Sequence, residues 1–526
     1  MGRGDERLRH SRLVKTIGII PIVFSLCFFV LPLGNVARAV ATTIGGGATT
    51  ALGTQTWATL QLAATSALQA LASAVLTLAV GLPLTAVLAR REFPGRRLLT
   101  ALVTVPFILP TVVTGLALRQ ATSGWLEPGL ALLLLGHVYV NLAVVQRLVG
   151  PVWAALDGRL LLAAAALGAN RWQVLRTVTL PLLRPAIRRA GAIVFAYTFG
   201  SLGLVLLLGG RTRTLETQVL RQVSLLLDFP GAAVTALLQL FVVGSVLALA
   251  TRDRLHRATL AARPGGDVRR PLRHGAVFAA VVSALLLAPL AGLVPSSLRG
   301  SDGWTLQWWA DAVSLQGLAG VSAAPAALFA TVRTATATGV TAAVLAVAVG
   351  VAVLLPRWRW LGRLSALPLA VSASTLGLGL LLTFGRAPLD WRGSWWLLPL
   401  AHTLAALPLT TALTIPLITG VDARRVVVAS TLGATPLRAF VTAYGPACGR
   451  AGVHAAAVGA AVSLGEFGAA SFLGAYDHAT LPVSIMRLLA HPGAQSLGVA
   501  AVMALLLTAC AIALVSVIAR LEGNRS

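Results

Sequence analysis

The sequence predicts an all-α polytopic membrane protein, and its composition, its apolar runs and its internal repetition lead to that class. Of its 526 residues, 57% are hydrophobic and 11% are charged. Soluble domains are about one quarter charged, so little of this chain is suited to water. Apolar runs of about twenty residues, the length that crosses a bilayer as a helix, recur along the whole chain. We therefore expect about 12 transmembrane helices in two homologous six-helix halves.

The positive charge of the chain lies in short loops rather than along one face of a helix. The formal net charge is +26, which by itself would also suit a nucleic-acid-binding protein. The arginines, however, cluster between apolar spans, as in 90–97 and 357–363, and short basic loops are typical of the cytoplasmic side of a membrane protein. We expect a lipid bilayer as the surroundings and no nucleic acid as a partner.

Twelve spans are predicted from the apolar runs. Those of the first half are 14–33, 61–88, 98–118, 129–149, 190–208 and 230–250, and those of the second half are 275–294, 327–355, 364–384, 395–418, 452–473 and 497–518. Ala37-Arg38-Ala39 also resembles a signal-peptidase site, but the run before it is long for a signal peptide, so a retained first helix is favoured. An even count of spans with basic inside loops predicts two cytoplasmic termini.

The halves are predicted to be 1–251 and 275–526, joined by a basic cytoplasmic linker, 252–274. Several positions recur between them: Pro106 and Gly115 match Pro368 and Gly377, and Gly200-Ser201-Leu202-Gly203 matches Gly465-Glu466-Phe467-Gly468. Such a parallel repeat of six spans indicates a duplication.

The most informative repeated stretch lies in a predicted inside loop of each half, 157–189 and 420–451. The first copy runs from Leu162 through Gly168-Ala169 to Leu180-Pro181, and the second runs from Val427 through Gly433-Ala434 to Pro446. Each reads as a short Ala-rich helix, a turn at Gly-Ala, and a second helix that a proline should end, because proline lacks an N–H and clashes with the preceding turn. A knob repeated at matching places suggests a docking surface for a two-fold partner.

This stretch resembles the EAA loop of ABC importer permeases, whose pattern is E-A-A-x3-G-x9-I-x-L-P. The residues that match are Ala163, Ala164, Gly168 and Pro181 in the first copy and Ala429, Gly433 and Pro446 in the second. Leu162 and Val427 stand where the family has glutamate, which weakens the expectation of an ion pair but leaves the docking shape. The resemblance implies coupling of these residues to two copies of an ABC ATPase subunit, an extracytoplasmic solute-binding protein as a further partner, and a place in the cytoplasmic (inner) membrane of a prokaryote.

Motifs for chemistry are missing from the sequence. No G-x4-G-K-[ST] occurs, so the chain has no P-loop for ATP, and no metalloprotease, C-x-x-C or G-x-S-x-G motif is present. The expected protein is not an enzyme: it binds no cofactor, and ATP and Mg would lie on the partner ATPase.

Three polar residues are candidates for the translocation path: Glu466, Ser201 and Asn141. Glu466 lies within the predicted span 452–473, where a carboxylate costs about 2.5–3.5 kcal/mol unless it has a cavity or a partner. A structural hydrogen bond to a neighbouring helix is the equally weighted alternative. His137 and His402 occupy matching places, and we expect helix–helix hydrogen bonds for them rather than a metal site.

The predicted outer loops resemble in sequence those of the fused permeases of ferric-iron and thiamine importers. The residues that carry this resemblance are Leu215-Glu216-Thr217 and Thr480-Leu481-Pro482. The resemblance suggests ferric iron as the first solute and thiamine as the second, moved by alternating access, with oxyanions and phosphonates also open. The alternative is a secondary transporter of the major facilitator type, which also has about twelve spans in two halves. The loop 90–97 lacks the signature expected of that class.

Overall fold

The computed structural model describes residues 12–45, 49–251, 270–300, 303–314, 321–385, 390–391, 393–474 and 479–523. These residues are almost entirely helical, with four two-residue strands, which confirms the predicted fold class. The first arginines and most of the predicted basic linker (252–269) lie outside the described residues.

The helices and strands of the first part of the chain follow one another with short connections. In order they are α1 (Arg12–Ser25), a π-helical segment (Leu26–Val30), α2 (Leu31–Gly45), α3 (Thr49–Arg90), β1 (Arg91–Glu92), α4 (Arg96–Ile108), α5 (Thr111–Ala121), α6 (Leu130–Ala154), α7 (Gly158–Ala166), α8 (Arg171–Val174), a second π-helical segment (Leu175–Thr179), α9 (Leu180–Phe199), α10 (Gly203–Leu208), α11 (Leu215–Ser224) and α12 (Phe229–Thr251).

The remainder of the chain is again mostly helical. It consists of β2 (Arg270–Pro271), α13 (Gly275–Ala291), α14 (Leu293–Leu298), β3 (Arg299–Gly300), β4 (Gly303–Trp304), α15 (Gln307–Ser314), α16 (Ala324–Ala352), a 3-10 turn (Pro356–Trp358), α17 (Leu361–Leu364), a second 3-10 turn (Leu367–Ala370), α18 (Ala373–Phe384), α19 (Leu397–Thr419), α20 (Arg424–Thr431), α21 (Pro436–Gly465), α22 (Gly468–Leu473), α23 (Leu481–Leu489) and α24 (Ala494–Gly523).

The described residues contain nine helices that are long and apolar enough to cross a membrane, or up to eleven if each of two bent pairs is one span. The bent pairs are α4 with α5, at 106°, and the segment Pro356–Ala370 with α18, at 100°. Both breaks fall in the third predicted span of a half, as expected for a duplicated chain. The predicted span 190–208 is not a continuous helix: α9 ends at Phe199 and α10 begins at Gly203. Three arginines in the first half of α9 also shorten its apolar part.

The described chain divides into two compact units, and neither coincides with a predicted half. One unit comprises Met1–Thr49, Val219–Leu237 and Ser296–Ser526, and the other Thr50–Gln218 and Leu238–Pro295. The first helices of the chain therefore share a unit with most of the second half, and α13 shares a unit with most of the first. The predicted halves describe the repeat in the sequence and remain a prediction.

Each unit has its own core of helices. In the unit that contains the C-terminus, α16, α19 and α21 pack against one another, and α1 packs on α16. Val14 of α1 joins Ile418, Val426 and Tyr444 in one buried cluster there. In the other unit, α6 packs on α9 and α4. These packed bundles hold the bases of the two repeated loops.

The two prolines expected to end helices do not end them. Pro446 lies inside α21, and Pro181 lies in the first turn of α9, directly after the π-helical segment. Proline is tolerated at the start of a helix because that N–H has no partner there anyway, and a π-helical turn re-registers the backbone hydrogen bonds beside it. Each loop therefore continues into a long helix.

Two helices of one unit begin in the same way. Arg91–Glu92 pairs in parallel with Arg270–Pro271, and α4 and α13 then each start after a residue in the left-handed region, Gly95 at φ 81° and His274 at φ 60°. A non-glycine residue seldom adopts this conformation. The start of α13 therefore stores a small strain that the start of α4 avoids.

Candidate functional site

The first repeated loop is a capped helix closed by a glycine turn. Asp157 begins α7, because its Oδ1 accepts the N–H of Arg159 at 2.9 Å. At the other end the N–H of Ala169 donates to the carbonyl of Ala164 at 3.1 Å, which is the hydrogen bond of a Schellman turn. Gly168 makes that turn with φ +85°, and a Cβ there would meet nothing within 4 Å. The glycine is thus required by the backbone conformation alone.

The second loop reaches the same geometry with different residues. Asp422 Oδ1 accepts the N–H of Arg424, the first residue of α20, at 2.9 Å, while Ala423 holds the N-cap position. The N–H of Ala434 donates to the carbonyl of Ala429 at 3.0 Å. Gly433 has φ +87°, again with open space around an added Cβ. The Asp-x-Arg start and the Gly-Ala end together define one structural unit that occurs twice.

The second short helix of each loop also begins with a side-chain cap. Asn170 and Gln173 form a reciprocal capping box before α8. Thr435 accepts the N–H of Arg438 at the start of α21. In both loops the turn therefore leads directly into another helix, and in the second loop Val426 and Ala439 also join the two helices in a buried core.

The residues of both loops are largely exposed. α7 buries no side chain and α20 buries only Val426. The leucine before each glycine projects furthest: Leu167 is 89% exposed and Leu432 is 82% exposed. Such leucines were not among the residues predicted from the sequence, although the Leu-Gly-Ala shared by both copies could have identified them. Each loop thus presents one apolar tip.

The predicted coupling residues fall on this surface with differing exposure. Exposed are Ala163, Gly168, Pro181, Gly433 and Pro446, whereas Ala164 and Ala429 are half-buried. The carbonyls of the two half-buried alanines accept the closing hydrogen bond of each turn. Leu162 and Val427, at the glutamate positions of the EAA pattern, are 63% and 41% exposed. An apolar side chain therefore occupies the place where the family can form an ion pair.

The charge around the loops is positive. Exposed arginines flank both of them: Arg159, Arg171 and Arg176 in the first, and Arg424, Arg425 and Arg438 in the second. The nearest acids, Asp157 and Asp422, accept backbone N–H groups as helix caps. A partner that binds here would need apolar pockets for the leucines and an acidic rim.

Glu466 lies at a break between two helices and not in the middle of one. α21 ends at Gly465 and α22 begins at Gly468. Glu466 Oε1 accepts the N–H groups of Gly468 at 2.8 Å and Ala469 at 3.4 Å, so the carboxylate supplies partners that the start of α22 otherwise lacks. The expectation of a mid-helix carboxylate was wrong, because this local capping breaks the span.

Ser201 lies at the corresponding break, between α9 and α10. Its Oγ is buried and has no hydrogen-bond partner among the described residues. The same backbone break therefore carries a capping carboxylate in one half and an unused hydroxyl in the other. The assignment of either residue to a translocation path stays a prediction.

Asn141 and the two histidines belong to the helix-packing interior. Asn141 is 3% exposed, and its Nδ2 donates to the carbonyl of His137 at 2.9 Å. His137 Nδ1 lies 2.9 Å from both Gln69 Nε2 and Ser73 Oγ of α3. His402 Nδ1 lies 2.8 Å from Ser463 Oγ of α21. The expected helix–helix hydrogen bonds of both histidines are confirmed.

The apolar spans, the two bent helix pairs and the loop that occurs twice define a class: a polytopic membrane protein with an exposed loop repeated along the chain. Residues 81–261 match the family described as binding-protein-dependent transport system inner membrane component. The probable molybdenum ABC transporter permease protein of Haloferax volcanii is 31% identical over 203 residues, which cover 37% of this chain and 74% of that protein. The chain belongs to this family of transport-system permeases.

Other relatives carry different solute names. The thiamine transport system permease protein ThiP of Salmonella typhimurium is 31% identical over 261 residues, 44% of this chain and 48% of that protein. The sulfate transport system permease protein CysT of Escherichia coli is 33% identical over 177 residues, 30% of this chain and 62% of that protein. The aligned residues of this chain span 48% of the Salmonella typhimurium thiamine permease and 35% of its Escherichia coli counterpart. The chain thus matches about half of the length of these relatives, or less.

Proposed function

We propose that this chain is the membrane-spanning permease subunit of an ATP-driven, binding-protein-dependent importer. The observation that carries the proposal is the loop that occurs twice: in each copy an aspartate carboxylate accepts a backbone N–H at the start, a glycine is left-handed and a leucine is exposed. Two equal docking knobs on one chain suit two copies of one ATPase subunit. ATP and Mg would then be bound by that partner, and this chain binds no cofactor of its own.

The chemistry of the loops favours shape-based docking. Leu167 and Leu432 would each fill an apolar pocket of the ATPase, and burying one leucine contributes about 1.5–3 kcal/mol. The exposed arginines around them would meet an acidic rim, which favours fast and correctly oriented association more than affinity. Because Leu162 and Val427 replace the glutamate of the EAA pattern, no ion pair from that position contributes.

Alternating access is the mechanism that fits a chain predicted to have two repeated six-span halves. Closure of an ATPase dimer would move both loops, and the long helices that continue from them, α9 and α21, would carry the movement into the membrane. A solute-binding protein outside the membrane would supply selectivity, so no residue of this chain needs to bind the solute tightly. Glu466, Ser201 and Asn141 remain the candidates for the path.

The proposed solute is a small molecule of the kind named for the relatives, with thiamine first. ThiP of Salmonella typhimurium has the longest aligned stretch of the relatives described above, 261 residues. Sulfate and molybdate follow from the other relatives. Ferric iron, the first choice from the outer loops, has no support among them, and neither has the major facilitator alternative.

The decisive experiment combines partner capture with uptake. The full chain, purified from membranes together with its ATPase, should contain two ATPase copies per chain by native mass spectrometry. Cells that lack this chain should lose energy-dependent uptake of one of three labelled solutes: thiamine, sulfate or molybdate. A control strain with an inactive ATPase should show the same loss. Uptake that survives without the ATPase would overturn the mechanism, and unchanged uptake of all three would overturn the solute class.

A further inference from the structure

A cavity of about 460 Å³ lies beside the start of α20, at the base of the second loop. Its walls are aliphatic, with Val353, Leu354 and Ile415, and its polar lining includes Arg359 and Thr419. All of these residues belong to the compact unit that contains the C-terminus. The volume is in the range of small-ligand sites, roughly 300–1,000 Å³.

The chain segments beside this cavity are rich in arginine, and one of these arginines, Arg359, lines it. The segments 356–363 and 419–425, which contribute to its lining, carry five arginines and one acid. That acid, Asp422, uses Oδ1 to accept the N–H of Arg424. A ligand that complements this surface carries a negative charge, such as a phosphate group, which arginine binds with charge-assisted hydrogen bonds.

The position of the cavity favours an amphiphile over a fully soluble anion. Its lining residues follow the end of α16 and belong to the last turns of α19, and both helices are long and apolar enough to span a membrane. Trp358 and Trp360 lie in the intervening segment, and tryptophan is enriched where a bilayer meets water. An anionic head at Arg359 with an acyl chain along the aliphatic wall matches both features.

At the base of the first loop an arginine donates a hydrogen bond to the backbone. Arg90 Nη2 donates to the carbonyl of Leu156 at 3.4 Å, and Leu156 directly precedes the capping Asp157. In the second loop Val421 directly precedes the capping Asp422 and lines the open cavity together with Arg359. An arginine thus contacts the protein backbone in one half and borders open space in the other.

We propose that the cavity binds an acidic phospholipid, with the phosphate at Arg359 and the start of an acyl chain against Val353, Leu354 and Ile415. Leu354, Val421 and Tyr444 border the cavity and also pack in the buried cluster that holds Val426 of α20. A bound lipid therefore stiffens the base of the second loop.

The test measures lipid binding to the purified full chain in detergent by native mass spectrometry. Phosphatidylglycerol and phosphatidylcholine with the same acyl chains are compared, and we expect wild type to retain phosphatidylglycerol selectively. Ala423→Leu fills the cavity without changing charge and should weaken that binding about tenfold. Ala412→Leu, which adds the same volume at an exposed position of α19 outside the lining, should leave it unchanged.

A second pair of variants separates the site from general attraction. Arg359→Gln should weaken phosphatidylglycerol binding about tenfold through the lost phosphate contact. Arg357→Gln removes the same charge from a side chain whose Cζ lies over the Trp358 ring, 5.9 Å from its centroid, and should weaken binding at most about fivefold. Equal effects of the two, or equal binding of both lipids, would overturn the proposal. So would saturable binding of glycerol 3-phosphate that depends on Arg359 and displaces the lipid, since the occupant would then be a soluble phosphate.

Discussion

The first loop, 157–189, and the second, 420–451, reach one geometry from different sequences. Both begin at an aspartate cap and both turn at a glycine with φ of +85° or +87°. The residues between differ, since α7 is GRLLLAAAA and α20 is RRVVVAST. The comparison teaches that the caps and the left-handed glycine define this unit, while the helix residues between them are free to vary in size and polarity.

At the helix breaks that follow the two loops, the backbone is the same but the side-chain contacts differ. The backbone break after Gly200 and that after Gly465 match, but Glu466 caps the following helix and Ser201 leaves its hydroxyl without a partner among the described residues. A repeated backbone thus carries unequal side chains at the places that the sequence marks as path candidates. The halves are equal where a two-fold partner would dock and unequal elsewhere.

The largest expected effect comes from breaking the shared turn. Gly168→Val or Gly433→Val places a β-branched residue at positive φ, which costs about 1–2 kcal/mol in the turn. We expect uptake to fall about 5- to 30-fold for either variant, and the double variant to be inactive. Transport assays with the co-purified ATPase measure this.

Gly168→Asn and Gly433→Asn are the matched controls, because asparagine tolerates the left-handed region. They should transport nearly as wild type. Normal transport by both valine variants would contradict a role for the two turns in coupling.

The next effect concerns the leucine tips. Leu167→Ser and Leu432→Ser should each weaken ATPase binding by about 2 kcal/mol, roughly 30-fold, because an apolar side chain no longer enters its pocket. Folding should be unchanged, since both side chains are exposed in the free chain. Titration of the ATPase onto the reconstituted chain measures the affinity. Equal losses support two equivalent docking sites, and a loss for only one leucine would show that the loops are not equivalent partners.

The helix breaks provide a third test of the comparison. Glu466→Ala removes the acceptor of two backbone N–H groups and should destabilise the protein by about 1–3 kcal/mol. Glu466→Gln keeps an acceptor oxygen and should unfold near the wild-type temperature. If Glu466→Gln is stable yet loses transport, the negative charge of Glu466 itself is needed for translocation of the solute.

Ser201→Ala is the counterpart in the first half. Because the hydroxyl has no partner among the described residues, its removal should change the free energy of unfolding by less than about 0.5 kcal/mol. Thermal unfolding in detergent compares all three variants. A large loss for Ser201→Ala would reveal a partner for that hydroxyl and make the two breaks more alike.

The smallest effect is expected at the twin helix starts. His274→Gly should stabilise the protein by about 0.5–1 kcal/mol, because His274 is exposed and holds φ 60°. Gly95→Ala, at the matching position with φ 81°, should destabilise it by about 1 kcal/mol. Unfolding temperatures of about 1 °C above and below wild type would register these changes. A lower unfolding temperature for His274→Gly would mean that the imidazole has a stabilising role.

The sequence by itself determined the fold class, the positions of most spans and the identity of the repeated loops. Long apolar runs and basic loops are local patterns, and the bilayer length makes them decisive. The glycine turn was also readable, since Gly168 and Gly433 follow short Ala- or Val-rich runs that a left-handed residue must close. The histidine contacts were expected correctly in kind, but their partners, Gln69, Ser73 and Ser463, were not.

Only the tertiary structure decided which helices continue and which break. Pro181 and Pro446 look like helix ends along the chain, yet the neighbouring backbone and packing accommodate them inside long helices. Glu466 looks like a mid-helix charge, yet its carboxylate caps the next helix. The grouping of α1 and α2 with the second half likewise depends on contacts between residues more than 300 positions apart, such as Asn35 with Thr383. Local propensity describes a segment alone, whereas breaks, exposure and grouping follow from what each segment packs against.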